Sequence, residues 1–168
     1  MTHSHRIWMD KKTSATEELV FSGRLLKRGF WLYVWEISTP DSMLYYVGRT
    51  GDSSSPNAQS PFNRMSQHLG FNERSNVLRR RLGAQGIDPE KCRFRLIAHG
   101  PILSEATAFE EHTTPRNITA ALEKALAVAL TDAGYNVINI VHCRIPLDEN
   151  LFSKVRSAFS AEFPKLSN

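Results

Sequence analysis

Arg64 and His68 stand four residues apart, the spacing at which one helix face carries both side chains. A guanidinium grips phosphate through two parallel N–H groups, and a neighbouring imidazole donates to that phosphate or takes up a proton. Upstream, Tyr33 and Tyr46 sit in two aromatic, β-branched runs, 30–37 and 43–48. If these runs form a hairpin centred on Pro40 and Asp41, residues 38 and 43 pair, 35 faces 46, and Tyr33 and Tyr46 point to one side. A slip of one residue would bring Tyr45 there instead. Downstream, Glu123 is a single carboxylate in a nearly apolar helical run, 120–130. A hard oxygen there suits Mg²⁺, which keeps most of its waters, although Glu123 and Lys124 would equally mark the solvent side of that helix. Just beyond it come Gly134, Tyr135 and Asn136, in turn chemistry where Asn commonly bonds backbone.

The intervening sequence supplies elements to hold these groups. Residues 1–28 are polar and mixed and read as an extension, with a short element near 17–26. Ser38, Thr39, Pro40, Asp41 and Ser42 make the hairpin turn, since Pro presets φ and the small polar side chains bond nearby backbone. Residues 51–59 are a loop by composition. Ser60-Pro61 is a cap followed by Pro at the first helical position, predicting a helix to about 69 that Gly70 stops. Asn72 can cap a second helix over about 73–82, and 92–99 alternates as a third strand. A short helix at 103–113 follows. Thr114-Pro115 repeats the cap-then-Pro signal before a helix at 118–130, whose apolar character predicts cover on both faces. Residues 137–141 read as a short strand and 147–159 as a closing amphipathic helix. The order predicts an α+β domain, a small antiparallel sheet of about three strands flanked by helices.

Composition bounds the function. The chain has 168 residues, 41% hydrophobic and 23% charged, with net charge +4. This suits one globular domain and excludes disordered and disulfide-framework classes. Residues 60–100 hold eight basic residues and three acidic ones, an excess of +5, so the rest sums to −1. A basic centre in a near-neutral chain points to an anionic partner. Cys92 and Cys143 are the only cysteines, 51 positions apart, without zinc-ligand spacing. That fits a reducing, cytoplasmic setting. No signal peptide and no membrane span are expected from the charged start and the absence of a long apolar run.

Taken in order, these features resemble the GIY-YIG nuclease superfamily. Trp31-Leu32-Tyr33 stands where GIY stands, Tyr46-Val47-Gly48 where YIG stands, and Thr50 follows. Arg64 and His68 match the family's helix signature, and Asn76 with Leu78 its N-x-L helix. Glu123 matches the metal-binding glutamate, and Asn136 follows 13 positions later, with Asn139 as its rival. Trp31 replaces the first glycine, the loop before Arg64 is long, and extra sequence before Glu123 brings in Glu110 and Glu111 as alternatives. The resemblance covers about 29–140, leaving 1–28 as an N-terminal extension and 141–168 as a C-terminal strand and helix packing on the same domain. It implies a DNA endonuclease, most similar to certain restriction enzymes, using a single Mg²⁺ or Mn²⁺ on Glu123. It further implies that Arg64 holds phosphate, that Tyr33 or Tyr46 activates water with help from His68, and that Asn136 braces the site. Arg79, Arg80, Arg81, Arg93 and Arg95 would hold the backbone of double-stranded DNA beside it. A homodimer is left open, since cutting a palindrome needs two sites. The alternative is a catalytically inactive nucleic-acid-binding or protein-interaction module on the same fold.

Overall fold

A computed structural model describes residues 16–52 and 57–167 of the chain. Expectations for 1–15 and for 53–56 of the loop lie outside these residues. The molecule is α+β, with a three-stranded antiparallel sheet in the order β2-β1-β3. Strand β1 (Phe30–Ser38) and strand β2 (Met43–Arg49) are the expected hairpin. Their register pairs Ser38 with Met43 and Trp35 with Tyr46. Thr39 makes the turn, its hydroxyl accepting from the N–H groups of Asp41 and Ser42.

Strand β3 (Arg93–Leu103) runs four residues beyond the expected end at 99. It continues through Gly100-Pro101, where the pairing with β1 shifts register. Proline has no N–H to give a ladder, so it is tolerated here because β3 is an edge strand with an irregularity. Alternation along β1 sends Leu32 and Val34 to one face and Tyr33, Trp35 and Ile37 to the other.

The Tyr33 face is covered by helix α1 (Pro61–Leu69) and helix α2 (Val77–Ala84). Ser60 caps α1 through the Asn63 N–H, as its sequence predicts. Asn72 instead organises a turn, its side chain accepting from the Arg74 N–H, and α2 begins four residues later than expected. The turn uses up the cap, because Asn competes well for nearby backbone. The 3-10 turn at Gly23–Leu26 packs on α1, and Phe21 meets Phe62 at 4.8 Å between ring centroids.

The Leu32 face is covered by helix α3 (Phe109–Asp132) and helix α4 (Glu149–Ser160). Here the sequence expectation of a short helix at 103–113 and a new one after Thr114-Pro115 is corrected. α3 is one helix of 24 residues with Pro115 inside it. Pro115 removes one hydrogen bond in the second turn. Burial of Leu122, Leu126 and Leu130 further along outweighs that loss. The cover on both faces expected for α3 is not found either: Val128 is 50% exposed on its outer side. The strand expected at 137–141 reduces to one parallel bridge, Val137 to Tyr45. No described helix is long and apolar enough to cross a membrane.

Candidate active site

Tyr33 starts near the middle of the sheet and ends beyond it. Its ring lies across Gly48, where a Cβ would come within 2.6 Å of the Tyr33 hydroxyl. The missing side chain at Gly48 therefore lets the ring pass over β2 toward the sheet edge. There the hydroxyl meets His68 Nε2 at 2.6 Å. Tyr46, two residues before Gly48, sets its ring 5.3 Å from the same imidazole. α1 delivers both His68 and, one turn earlier, Arg64, whose charge bears on the Tyr33 hydroxyl. Arg64 also pairs with Asp52 at 2.9 Å and donates to Gln67 at 3.0 Å.

The Tyr33–His68 hydrogen bond runs from the phenol to Nε2 in one imidazole tautomer and from Nε2–H to the phenol oxygen in the other, with the remaining ring proton or lone pair on Nδ1. That Nδ1 is buried without a partner among the described residues. Burial, and then the Arg64 charge, lower the His68 pKa to about 4, so the ring is neutral. Burial pushes the Tyr33 phenol far above its ordinary range, against the pull of Arg64. Burial raises Tyr46 to about 12, with Arg81 of α2 among the charges opposing it. For Arg64, burial acts to lower the pKa, but Tyr33 and Asp52 outweigh it and hold the guanidinium charged.

Glu123 arrives from the other face. It projects from α3 at the rim of the sheet and bonds Arg49, the last residue of β2, at 2.9 Å. Its charge bears on Tyr33 and Tyr46, and its own pKa responds to Asp52 and Arg64, so the two faces meet electrostatically around the β2 edge. Burial raises Glu123 to about 7, and Arg49 offsets only part of that. Arg49 was not singled out in the sequence. Its position directly after Tyr46-Val47-Gly48 is the signal that could have found it.

Two of these guanidinium groups have donors to spare. Arg49 NH1 and Arg64 Nε are both buried with no partner among the described residues. Unpaired buried N–H groups are costly, and an arriving anionic oxygen would satisfy them.

Asn136 does not brace the site. Its side chain is exposed, and it contributes its backbone carbonyl, which accepts from the Tyr45 N–H at 2.9 Å. The Ile138 N–H returns to the Tyr45 carbonyl at 2.8 Å, which places Asn139 beside Val47. The buried Asn139 amide then accepts from the Val47 N–H and donates to the Val47 carbonyl. Asn139 thus closes the free edge of β2 next to Gly48. Glu110 and Glu111 lie in the first turn of α3, where acids suit the helix dipole.

The basic residues divide. Arg93 and Arg95 alternate with Phe94 and Leu96, which pack toward α2, so they point to the opposite face and do not flank the site. Arg95 is bound to Glu36 and Glu162. Arg79 pairs with Glu90 at 3.8 Å. Arg80 and Arg81 are exposed and belong to no ion pair among the described residues. Asn76 and Leu78 are buried at the start of α2.

Among the described residues no group of three His, Cys, Asp or Glu side chains is arranged to hold a metal ion. The donor set nevertheless fits an ion that keeps most of its waters. Glu123 supplies one hard carboxylate, bonded to Arg49 through Oε2. A separate cavity of about 920 Å³ lies behind α3, lined by Ala125, Val128 and Phe152 among others, away from these groups. Compared with family models, curated proteins and solved structures, the chain gave no match.

Proposed function

We propose that this chain is a divalent-metal-dependent endonuclease that hydrolyses DNA phosphodiester bonds, built on the GIY-YIG plan. The observation that carries the reading is the buried Tyr33 hydroxyl bonded to a neutral His68, 2.6 Å from Nε2, with the Arg64 charge beside it. Phosphodiester hydrolysis needs an acceptor for the proton of the attacking water and cations for the charge at phosphorus. Tyr33 orients the water and takes its proton as its own passes to His68. The new P–O bond forms as the bond to the leaving oxygen breaks. The spare N–H groups of Arg49 and Arg64 hold the non-bridging oxygens. The phosphate charge favours the imidazolium that results. Glu123, with waters, would hold Mg²⁺ or Mn²⁺, which supplies charge stabilisation at the leaving oxygen.

The Glu123–Arg49 pair favours a second reading, an inactive DNA-binding module in which Arg49 keeps the carboxylate permanently neutralised. A plasmid-cleavage assay with Mg²⁺ or Mn²⁺ separates the two. The nuclease reading expects metal-dependent cutting that Glu123→Ala abolishes while DNA binding persists. Wild-type cutting by that variant would sink the assignment. The sign of the pH dependence follows from Glu123: the ion-holding carboxylate form gains with rising pH through about 7. Cleavage should therefore climb across that range, while His68 stays neutral throughout.

A further inference from the structure

Three residues past His68, the chain leaves α1 and presents Phe71 to solvent at 79% exposure. The ring is backed on one side. The Arg79 guanidinium lies over it, 4.2 Å from the centroid. Arg79 is itself fixed, donating to the Leu69 carbonyl at 3.2 Å and facing Glu90 at 3.8 Å. The exposed Arg74, Arg80 and Arg81 follow within ten residues of Phe71 in the chain, with the exposed acid Glu73 between, and Glu90 stands 3.8 Å from Arg79. Arg81 also bears on Tyr46 in the candidate site.

We infer that Phe71, backed by Arg79, is a stacking platform for an unpaired nucleobase next to the phosphate held at the site. The inference rests on the nuclease reading for the position of that phosphate. Every base has a π-face, and an aromatic ring beside a basic surface takes one without reading its identity. The backing decides between two modes. A wedge driven between stacked base pairs needs both ring faces free. Arg79 occupies one face here, so Phe71 offers a single face, which suits a base already out of its stack. The arginines supply the complementary charge for the backbone of that strand. The substrate class is thus DNA with a single-stranded or unpaired stretch beside the cut.

The test is binding to metal-free protein of a single strand of about 12 nucleotides carrying 2-aminopurine, against a blunt duplex of the same sequence. Phe71→Ala should weaken single-strand binding about tenfold, abolish the 2-aminopurine response and leave duplex binding unchanged. Phe71→Trp should restore both losses. The slope of log affinity against log salt should stay unchanged in Phe71→Ala and fall by about 0.7 in Arg81→Ala, separating stacking from charge. Equal single-strand affinity of Phe71→Ala and wild type overturns the inference. So does an equal loss on strand and duplex, or absence of single-strand binding by the wild type. Failure of the nuclease reading is distinct: the strand binds through Phe71, yet nothing is cut with Mg²⁺ or Mn²⁺.

Discussion

Arg64 and Arg95 are both ion-paired arginines in the basic middle of the chain, and they serve opposite ends. Arg95 is 53% exposed and lies between two carboxylates, Glu36 and Glu162. Its hydrogen bond to Glu162, helped by Glu36, holds its pKa up, and its charge is met by its own chain. Arg64 is 17% exposed, shares one partly exposed carboxylate and keeps a buried Nε without a partner among the described residues. Arg49 repeats that pattern with NH1. A cation whose charge is met by carboxylates of its own chain stitches the fold. One that keeps a buried donor unused stands ready for an anion from outside. Net charge by segment cannot see this difference, because it counts Arg95 and Arg64 alike.

The sharpest way to break the comparison is to remove Arg64. Arg64→Ala should lower metal-dependent cleavage about 10²- to 10³-fold, the loss typical of one donor at developing charge. Arg64→Lys should recover little, because an ammonium cannot reproduce the fork that holds Asp52 and Gln67 while keeping Nε for a phosphate. Single-turnover cleavage alongside a thermal melt checks both. Activity within a few-fold of wild type would place Arg64 with Arg95, as a structural cation.

Gly48→Ala attacks the same site without touching Arg64. The new methyl would meet the Tyr33 ring and must displace it, taking the hydroxyl from His68. Overpacking of this kind costs about 1–3 kcal/mol, visible in denaturant melts, and cleavage should fall with it. A fully stable Gly48→Ala that still cuts would mean the Tyr33 ring does not need that space.

How far the sequence reaches is clearest at these positions. The hairpin register, and with it the shared side of Tyr33 and Tyr46, follows from turn length and period-two alternation, and the structure agrees. The Arg64 and His68 spacing likewise places both on α1. Glu123 reaches the β2 edge because α3 packs across β1 and β2, and its Arg49 partner is a contact across 74 positions that no local pattern encodes. The misplacement of Arg93 and Arg95 has another cause. Strand parity assigns them to the α4 face, yet which face holds the site depends on where α1 docks, a tertiary fact. Pro115 misled for a similar reason, since burial along α3 overrode a local cap-then-Pro start signal.

Asn136 and Asn139 give a finer test at the β2 edge, which presents Arg49. Asn139→Ala strands the buried Val47 N–H and carbonyl. A loss of about 1–3 kcal/mol is expected, because each unmet buried group carries its own desolvation cost. Asn136→Ala leaves the carbonyl that accepts from Tyr45 in place and should cost only a few tenths of a kcal/mol, as at other exposed positions. Paired melts of the two variants decide it. Equal losses would mean that the 136–139 segment is held by backbone alone.

The smallest effect is expected at Arg95. Arg95→Gln removes two surface ion pairs, each worth about 0–1 kcal/mol and further weakened by salt. The variant leaves Glu162 in water and Glu36 still partly exposed at 24%, so no fully buried charge is orphaned. Cleavage should remain within twofold of wild type, and the salt dependence of DNA binding should keep its slope. A drop in that slope of about 0.9 would show Arg95 meeting a backbone phosphate. To do so it would have to exchange both carboxylates for one phosphate, and the contrast with Arg64 would then be one of degree only.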